Sequence, residues 1–167
     1  MNTHYAAPWG RPLKITSVFA TLLCLGIAAW SFAGPSSIKW VGYLPLAFAL
    51  GSALFMVRGF ELSKDALRVK RLFWTTRLPL ADLATAEWDP AAMRRSIRTL
   101  GNGGFYSYTG YYRNKALGSY RAYVTDLDRA VVLRFTDRRL VISPDDPAGF
   151  LRELQTLTGK GTAPDGP

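Results

Sequence analysis

Two uncharged apolar stretches, Ile15 to Ala33 and Trp40 to Val57, occupy the first third of the chain and constrain everything that follows. They run 19 and 18 residues. At about 1.5 Å of rise per residue each helix would reach roughly 27 to 28 Å, close to the ~30 Å hydrocarbon thickness of a bilayer. Only Gly34 to Lys39 separates them, so residues 15–57 are predicted to form a two-helix transmembrane hairpin, with the second helix antiparallel to the first. Residues 1–14 precede it.

Positive charge sets the orientation, because Lys and Arg near membrane helices are retained on the cytoplasmic side. Arg11 and Lys14 come before the first stretch and Arg58, Lys64, Arg68, Lys70 and Arg71 follow the second, against Lys39 alone between them. Both termini are therefore predicted to be cytoplasmic. Trp30, Phe32, Trp40 and Tyr43 gather at the loop end, where amphipathic rings prefer the headgroup layer. Ala47 and Gly51 are spaced either to let two helices approach closely or simply to face lipid. A competing reading is a cleaved signal peptide ending at Ser31-Phe32-Ala33, but the apolar run is long for a signal core and Trp30 and Phe32 crowd the site. Cleavage there would still leave the second stretch to deliver the C-terminal part to the cytoplasm.

Residues 58–159 suffice for one compact domain. Cys24 lies inside the first apolar stretch and His4 is the one histidine, which removes disulfides, the common zinc ligands and an imidazole base from this domain. No cofactor is expected. The net charge is +9, and residues 58–159 supply +6 of it, with 17 Lys and Arg against 11 Asp and Glu. A basic domain held against a bilayer meets the anionic inner leaflet rather than nucleic acid.

After Arg58 the apolar period becomes two, the mark of half-buried strands. Leu67 and Val69, Val131, Leu133 and Phe135, and Leu140 and Ile142 set strands, with turns at Ser63 to Asp65, Asp126 to Arg129 and Asp137 to Arg138. Further strands are predicted at Trp74 to Leu78, Leu83 to Trp88 and Tyr120 to Thr125, and the short connections predict antiparallel hairpins. Phe150, Leu151, Leu154 and Leu157 then form one helical stripe, with Asp146 as N-cap, Pro147 in the first turn and Gly159 as terminator. Residues 160–167, rich in Gly and Pro, are predicted to be disordered.

Six or seven short antiparallel strands followed by one amphipathic helix is the layout of a pleckstrin-homology-like (PH-like) domain, a bent sheet or barrel closed by a C-terminal helix. The run from Gly59 to about Leu157 resembles the small bacterial PH-like domain family in "GFELSKDALRVKR", "RLPLADLATAE", "RTLGNGGFYSYTGYYRN", "LGSYRAYVTD" and "VISPDDPAGFLREL". The resemblance covers the domain and none of the hairpin. It implies a fold and a membrane-associated setting, here the bacterial inner membrane, and no reaction.

The segment from Pro90 to Thr125 holds no Asp or Glu. It carries Arg94, Arg95, Arg98, Arg113, Lys115 and Arg121 among Phe105, Tyr106, Tyr108, Tyr111, Tyr112, Tyr120 and Tyr123. Gly101, Gly103, Gly104 and Gly110 let its backbone turn sharply, as a long hairpin or loop. As a working surface it reads in two ways: a groove or edge for a protein partner or second copy, anchored by Tyr and Arg, or a loop that dips to the leaflet and binds anionic lipid headgroups. A plainly structural hairpin with solvated arginines is the third reading.

No catalytic constellation is visible. Gly101-Asn102-Gly103-Gly104 fails both the dinucleotide and the P-loop fingerprint. Asp126 with Asp128 and Asp145 with Asp146 fall at a turn and a cap, where carboxylates bind backbone amides. Ser143 before Pro144 fits a strand-to-helix turn. The sequence predicts a membrane-anchored recognition or scaffolding module, not an enzyme. The alternatives are a lipid-sensing domain and an accessory subunit of a membrane enzyme or transporter.

Overall fold

The computed structural model describes residues 3–159; the tail at 160–167, predicted to be disordered, lies outside the described residues. Helix α1 (Arg11–Ala33) starts with Pro12 in its first turn, where a missing N–H costs nothing, and closes with the Gly34 amide on the Trp30 carbonyl. Its 23 residues give about 35 Å of rise. Among the described residues it is the one helix long and apolar enough to cross a membrane.

The second apolar stretch corrects the expectation of two full-length membrane helices. It divides into a 3-10 helix (Ser36–Gly42) and helix α2 (Tyr43–Leu54), whose 12 residues rise only about 18 Å. Pro45 explains the division: it offers no N–H to the Val41 carbonyl and its ring crowds that group, so a regular α-helix cannot run through this turn. Phe32 meets Tyr43 edge-on at 5.1 Å where the chain reverses.

Residues before α1 also depart from the expected plain N-terminal segment. Strand β1 (Thr3–Ala6) pairs antiparallel with β2 (Gly59–Leu62), setting Tyr5 opposite Phe60. Strands β3 (Ala66–Lys70) and β4 (Thr75–Pro79) complete a four-stranded sheet in chain order. A second sheet runs β5-β9-β10-β8-β7-β6, from β5 (Leu83–Trp88), β6 (Ile97–Gly103), β7 (Tyr108–Asn114), β8 (Gly118–Val124), β9 (Val131–Phe135) and β10 (Arg139–Ile142). Among the described residues the domain at 58–159 thus holds nine strands, β2 to β10, rather than six or seven, and β1 adds a tenth from before the helices.

Pairing is also not wholly antiparallel. β8 and β10 run parallel, with Leu140 opposite Arg121 and Ile142 opposite Tyr123, so β8 and β9 do not make the hairpin their short connection predicts. Asp126 caps a 3-10 turn (Leu127–Arg129) by accepting from the Asp128 amide, and the chain leaves this turn to enter between β5 and β10.

One core cluster joins Tyr5, Phe60, Leu67, Tyr123, Leu133 and Ile142 to Phe150, Leu151 and Leu154 of helix α3 (Pro147–Thr158). A second, on the other face of β8 to β10, gathers Tyr112, Tyr120, Val124, Val132 and Val141. Burial on both faces explains why β9 and β10 read as near-continuous apolar runs. The α3 caps fall where the sequence places them, with Asp146 accepting from the Gly149 amide at 2.9 Å and Gly159 at φ +64°.

Candidate functional site

The segment from Pro90 to Thr125 folds into the meander β6-β7-β8. Its register runs from Ile97 opposite Arg113 at one end to Gly103 opposite Tyr108 at the other. Six residues at about 3.3 Å each separate these ends by roughly 20 Å. Phe105 and Tyr106 fall at the tip, whereas Tyr111, Tyr112 and Tyr120 lie toward the other end, in register with Arg98 and Arg121 and next to Arg113.

At the hairpin tip the backbone is shaped by Gly101 and Gly110, which face each other at φ +114° and +137°. A Cβ on Gly110 would lie 2.2 Å from the Leu100 carbonyl oxygen, and one on Gly101 2.3 Å from that of Thr109. Only glycines let the strands approach this closely. Asn102 then closes the tip, its side chain accepting from the Phe105 amide at 3.0 Å and donating back to the Phe105 carbonyl.

This tip docks on the helices. Thr16 Oγ1 donates to the Gly104 carbonyl at 3.0 Å, the Tyr106 amide donates to Ser17 Oγ at 2.9 Å, and the Tyr106 hydroxyl lies 2.9 Å from Thr21 Oγ1. Phe105 stacks on Phe48 of α2 at 5.6 Å, and Tyr106 packs on Phe105 at 4.3 Å and Trp9 at 5.9 Å. Ser17, 1% exposed, is consumed by this contact.

The other tyrosines are largely structural. Tyr112 is buried, donates to the Asn102 carbonyl at 2.5 Å and stacks on Tyr120 at 6.0 Å. Burial pushes its hydroxyl up to about 12 despite the opposing pull of Arg98. Burial also raises Tyr108, half-buried, and Tyr120, whose hydroxyl lies 2.6 Å from Ser96 Oγ. Tyr111 is exposed, with the Arg121 guanidinium over its ring at 5.5 Å and over Tyr123 at 5.1 Å.

At the far end Arg94, Arg95, Arg113 and Lys115, all exposed, line one cleft of about 820 Å³ whose lining contains no carboxylate. Its floor is fixed by Asn114, which donates to the Ala92 carbonyl at 2.8 Å and to Ser96 Oγ at 3.0 Å, and accepts from the Leu117 amide at 2.7 Å. Arg98 is set apart from this cluster and borders a different cleft, against α2. The ten residues singled out in the sequence therefore do not share one surface. Tyr106 docks on the helices, Tyr108 and Tyr112 pack inward, Tyr111 and Arg121 pair, Arg98 stands beside α2, and four cations share the distal cleft.

Three residues that sequence reasoning passed over, Thr16, Ser17 and Thr21, hold the tip. Their signal was faint: hydroxyls at 17 and 21 share one face of an otherwise apolar helix. In the sequence Arg71 counts only among the charges that follow the second apolar stretch, yet its guanidinium lies over Phe55 at 5.8 Å, Trp74 at 5.4 Å and Tyr123 at 5.3 Å, tying the end of α2 to both sheets. Burial pushes its pKa down.

Carboxylates serve the scaffold. Glu87 pairs with Arg134 at 2.6 Å, and Glu61 with Lys70 at 2.8 Å and Arg68 at 3.2 Å. The Lys70 hydrogen bond, with the Lys70 and Arg68 charges, holds the Glu61 carboxyl below its ordinary range. Asp126 and Asp146 cap helices, and the buried Ser143 hydroxyl accepts from the Thr125 amide at 2.8 Å within the strand-to-helix turn.

Two β-sheets around one core, closed by a C-terminal helix, define a PH-like recognition or scaffolding module. The family model described as Bacterial PH domain matches residues 58–158, and the chain belongs to that family. Residues of β1, α1, the 3-10 helix and α2 lie outside the match. No curated protein and no solved structure matches the chain.

Proposed function

We propose that this protein is a membrane-anchored, non-catalytic recognition module at the cytoplasmic face of the bacterial inner membrane, which receives an acidic segment of a protein partner in its distal basic cleft. The cleft carries the reading. Four cations without a lining carboxylate create a field that an acidic chain neutralises, and they stand about 20 Å along the meander from the tip that touches the helices. This distance favours a soluble partner over the bilayer as the target of these charges.

Anchoring is supported by the surface of the helices. Ile15, Val18, Phe19, Leu22, Leu23, Leu25 and Ile27 of α1 and Leu44, Phe48 and Leu50 of α2 are all exposed, an apolar area that water would penalise and lipid would cover. The β1–β2 pairing supports a return crossing, because it puts the chain entering α1 and the chain leaving α2 on the same side. A crossing by α1 then requires residues 34–57 to come back. The 3-10 helix and α2, end to end, supply rises of about 14 and 18 Å for this purpose.

The test uses the full chain in nanodiscs and a fluorescent decaglutamate peptide. Wild type should bind at low salt and release the peptide as salt rises, since such contacts are screened over roughly 8 Å at physiological ionic strength. Changing Arg94, Arg95 and Arg113 to Ser should abolish binding with the fold unchanged. Equal binding by the folded variant would remove this assignment.

A further inference from the structure

Strand β6 ends its sheet: it pairs with β7 on one side and with no described strand on the other. We infer that this free edge is the acceptor for the acidic partner segment proposed above, which binds as an added β-strand with carboxylates in the distal cleft and apolar side chains over Ile97 and Leu100. The strand mode rests on the reading of that cleft and adds the backbone conformation and side-chain pattern of its occupant.

Six of the seven β6 residues are exposed, so neither face of the strand is covered. An unpaired edge presents a row of N–H and C=O groups, and an extended chain replaces their water with ladder hydrogen bonds. The other edges are guarded. On β1 the Ala6 carbonyl accepts from the Asp145 amide at 3.0 Å, β4 ends in Pro79, which has no N–H to give, and β5 lies against α3. β6 has a milder guard, a bulge between Arg98 and Leu100 where Thr99 Oγ1 donates to the Tyr111 carbonyl at 3.0 Å. The bulge breaks the edge into short runs, which leaves selection of a partner to side chains.

The register supplies that selection. Ile97 lies opposite Arg113 and Leu100 opposite Tyr111, two positions apart on β7, so all four share one face of the sheet. On this face Ile97 is 73% and Leu100 68% exposed. Ile97 and Arg113 also line the distal cleft with Arg94, Arg95 and Lys115. An added strand projects alternate side chains onto the same face, where they meet cations at the distal end and Leu100 toward the tip. The segment from Pro90 to Thr125 contains no carboxylate to repel it.

A second copy fits this edge less well. Phe105 stacks on Phe48, and Gly101 and Asn102 line one cleft with Ser52 and Phe55, so β6 runs alongside α2. Antiparallel pairing of two β6 edges would turn one copy's helices away from the bilayer that holds the other's. Parallel pairing would set two groups of four cations side by side. An acidic strand from another protein meets neither obstacle.

The experiment uses the full chain in phosphatidylcholine nanodiscs and three fluorescent decapeptides: alternating Glu and Val, the same peptide N-methylated at every amide, and decaglutamate. N-methylation keeps the carboxylates and removes the backbone donors. The alternating peptide should bind at least tenfold more tightly than its N-methylated form and should slow hydrogen exchange at residues 97–103. Leu100→Ser, at an exposed position, should weaken the alternating peptide severalfold and leave decaglutamate binding unchanged. Equal binding of the methylated and unmethylated forms, or a bound alternating peptide without slowing at 97–103, would overturn the strand mode while salt-sensitive decaglutamate binding still upholds the cleft. Failure of decaglutamate to bind would defeat the cleft and the strand mode together. Slow exchange at 97–103 before any peptide is added, in nanodiscs that hold two copies, would give the edge to a second copy and overturn the proposal.

Discussion

The two ends of the β6–β7 hairpin come from one glycine-rich, tyrosine-rich, basic segment and behave in opposite ways. At the tip, Gly104 and Tyr106 direct their polar groups at hydroxyls of α1, and Phe105 stacks on α2. At the other end, Arg94, Arg95, Arg113 and Lys115 surround open space. The satisfied groups of the tip build structure, whereas the four cations form no ion pair among the described residues, which is why the proposed recognition is assigned to them. Composition alone merges the two because a hairpin brings residues 97 and 113 together while carrying both about 20 Å from residues 103 and 108.

That contrast predicts a descending series of effects. The largest comes from the glycine crossing: Gly110→Ala places a Cβ against the Leu100 carbonyl at a positive φ and should cost about 3 kcal/mol, read from thermal unfolding in detergent. The buried tyrosines come next. Tyr5, Tyr108, Tyr112, Tyr120 and Tyr123 all have raised pKa values, with burial the leading cause in each. The folded state thus prefers their neutral forms, and this stability is complete below pH 10 and lost as pH rises toward the folded-state values. Tyr112 alone accounts for on the order of 2 kcal/mol across the window from 10 to about 12. Tyrosinate absorbance should rise in step with loss of circular dichroism.

Smaller effects separate the ends more sharply. Ser17→Ala with Thr21→Val should remove about 1 kcal/mol per lost hydrogen bond. Hydrogen exchange should quicken at residues 104–107 and stay unchanged at 113–118; equal quickening at both ends would break the comparison. Smallest of all, the Ser substitutions at Arg94, Arg95 and Arg113 should shift stability by no more than about 0.5 kcal/mol each, although they should abolish the proposed peptide binding.

Much of the domain is legible in the sequence because its signals are local. Leu67 and Val69, Leu83 to Trp88 and the Val131 to Phe135 run declare strands, and the Asp146, Pro147 and Gly159 triad brackets α3 to the residue. Strand β6 declares nothing, since Ile97, Leu100 and its glycines follow no period of two and most of its side chains are exposed. β1 is too short to announce itself and depends on β2, more than fifty positions later. The parallel pairing of β8 with β10 is likewise set by competition among strands, which no turn motif encodes.

The candidate site was legible as composition and illegible as geometry. Basic and aromatic residues were identified by type, but their division between docking and recognition depends on the Gly101–Gly110 crossing and on hydroxyls at 16, 17 and 21 in another element. Short hydroxyls in an apolar run have little weight in a hydropathy reading. Their hydrogen bonds to the tip give them their role.

The proposed anchor requires the chain to cross the bilayer along α1 and return through residues 34–57, carrying the domain back to the side from which it left. Single cysteines introduced as Lys39→Cys and Lys115→Cys in a Cys24→Ala background, treated with a membrane-impermeant thiol reagent in sealed vesicles of each orientation, measure this directly. Labelling of position 39 in right-side-out vesicles and of position 115 only in inverted ones is the predicted result. Labelling of both positions from the same side would contradict the hairpin and, with it, the placement of the distal cleft.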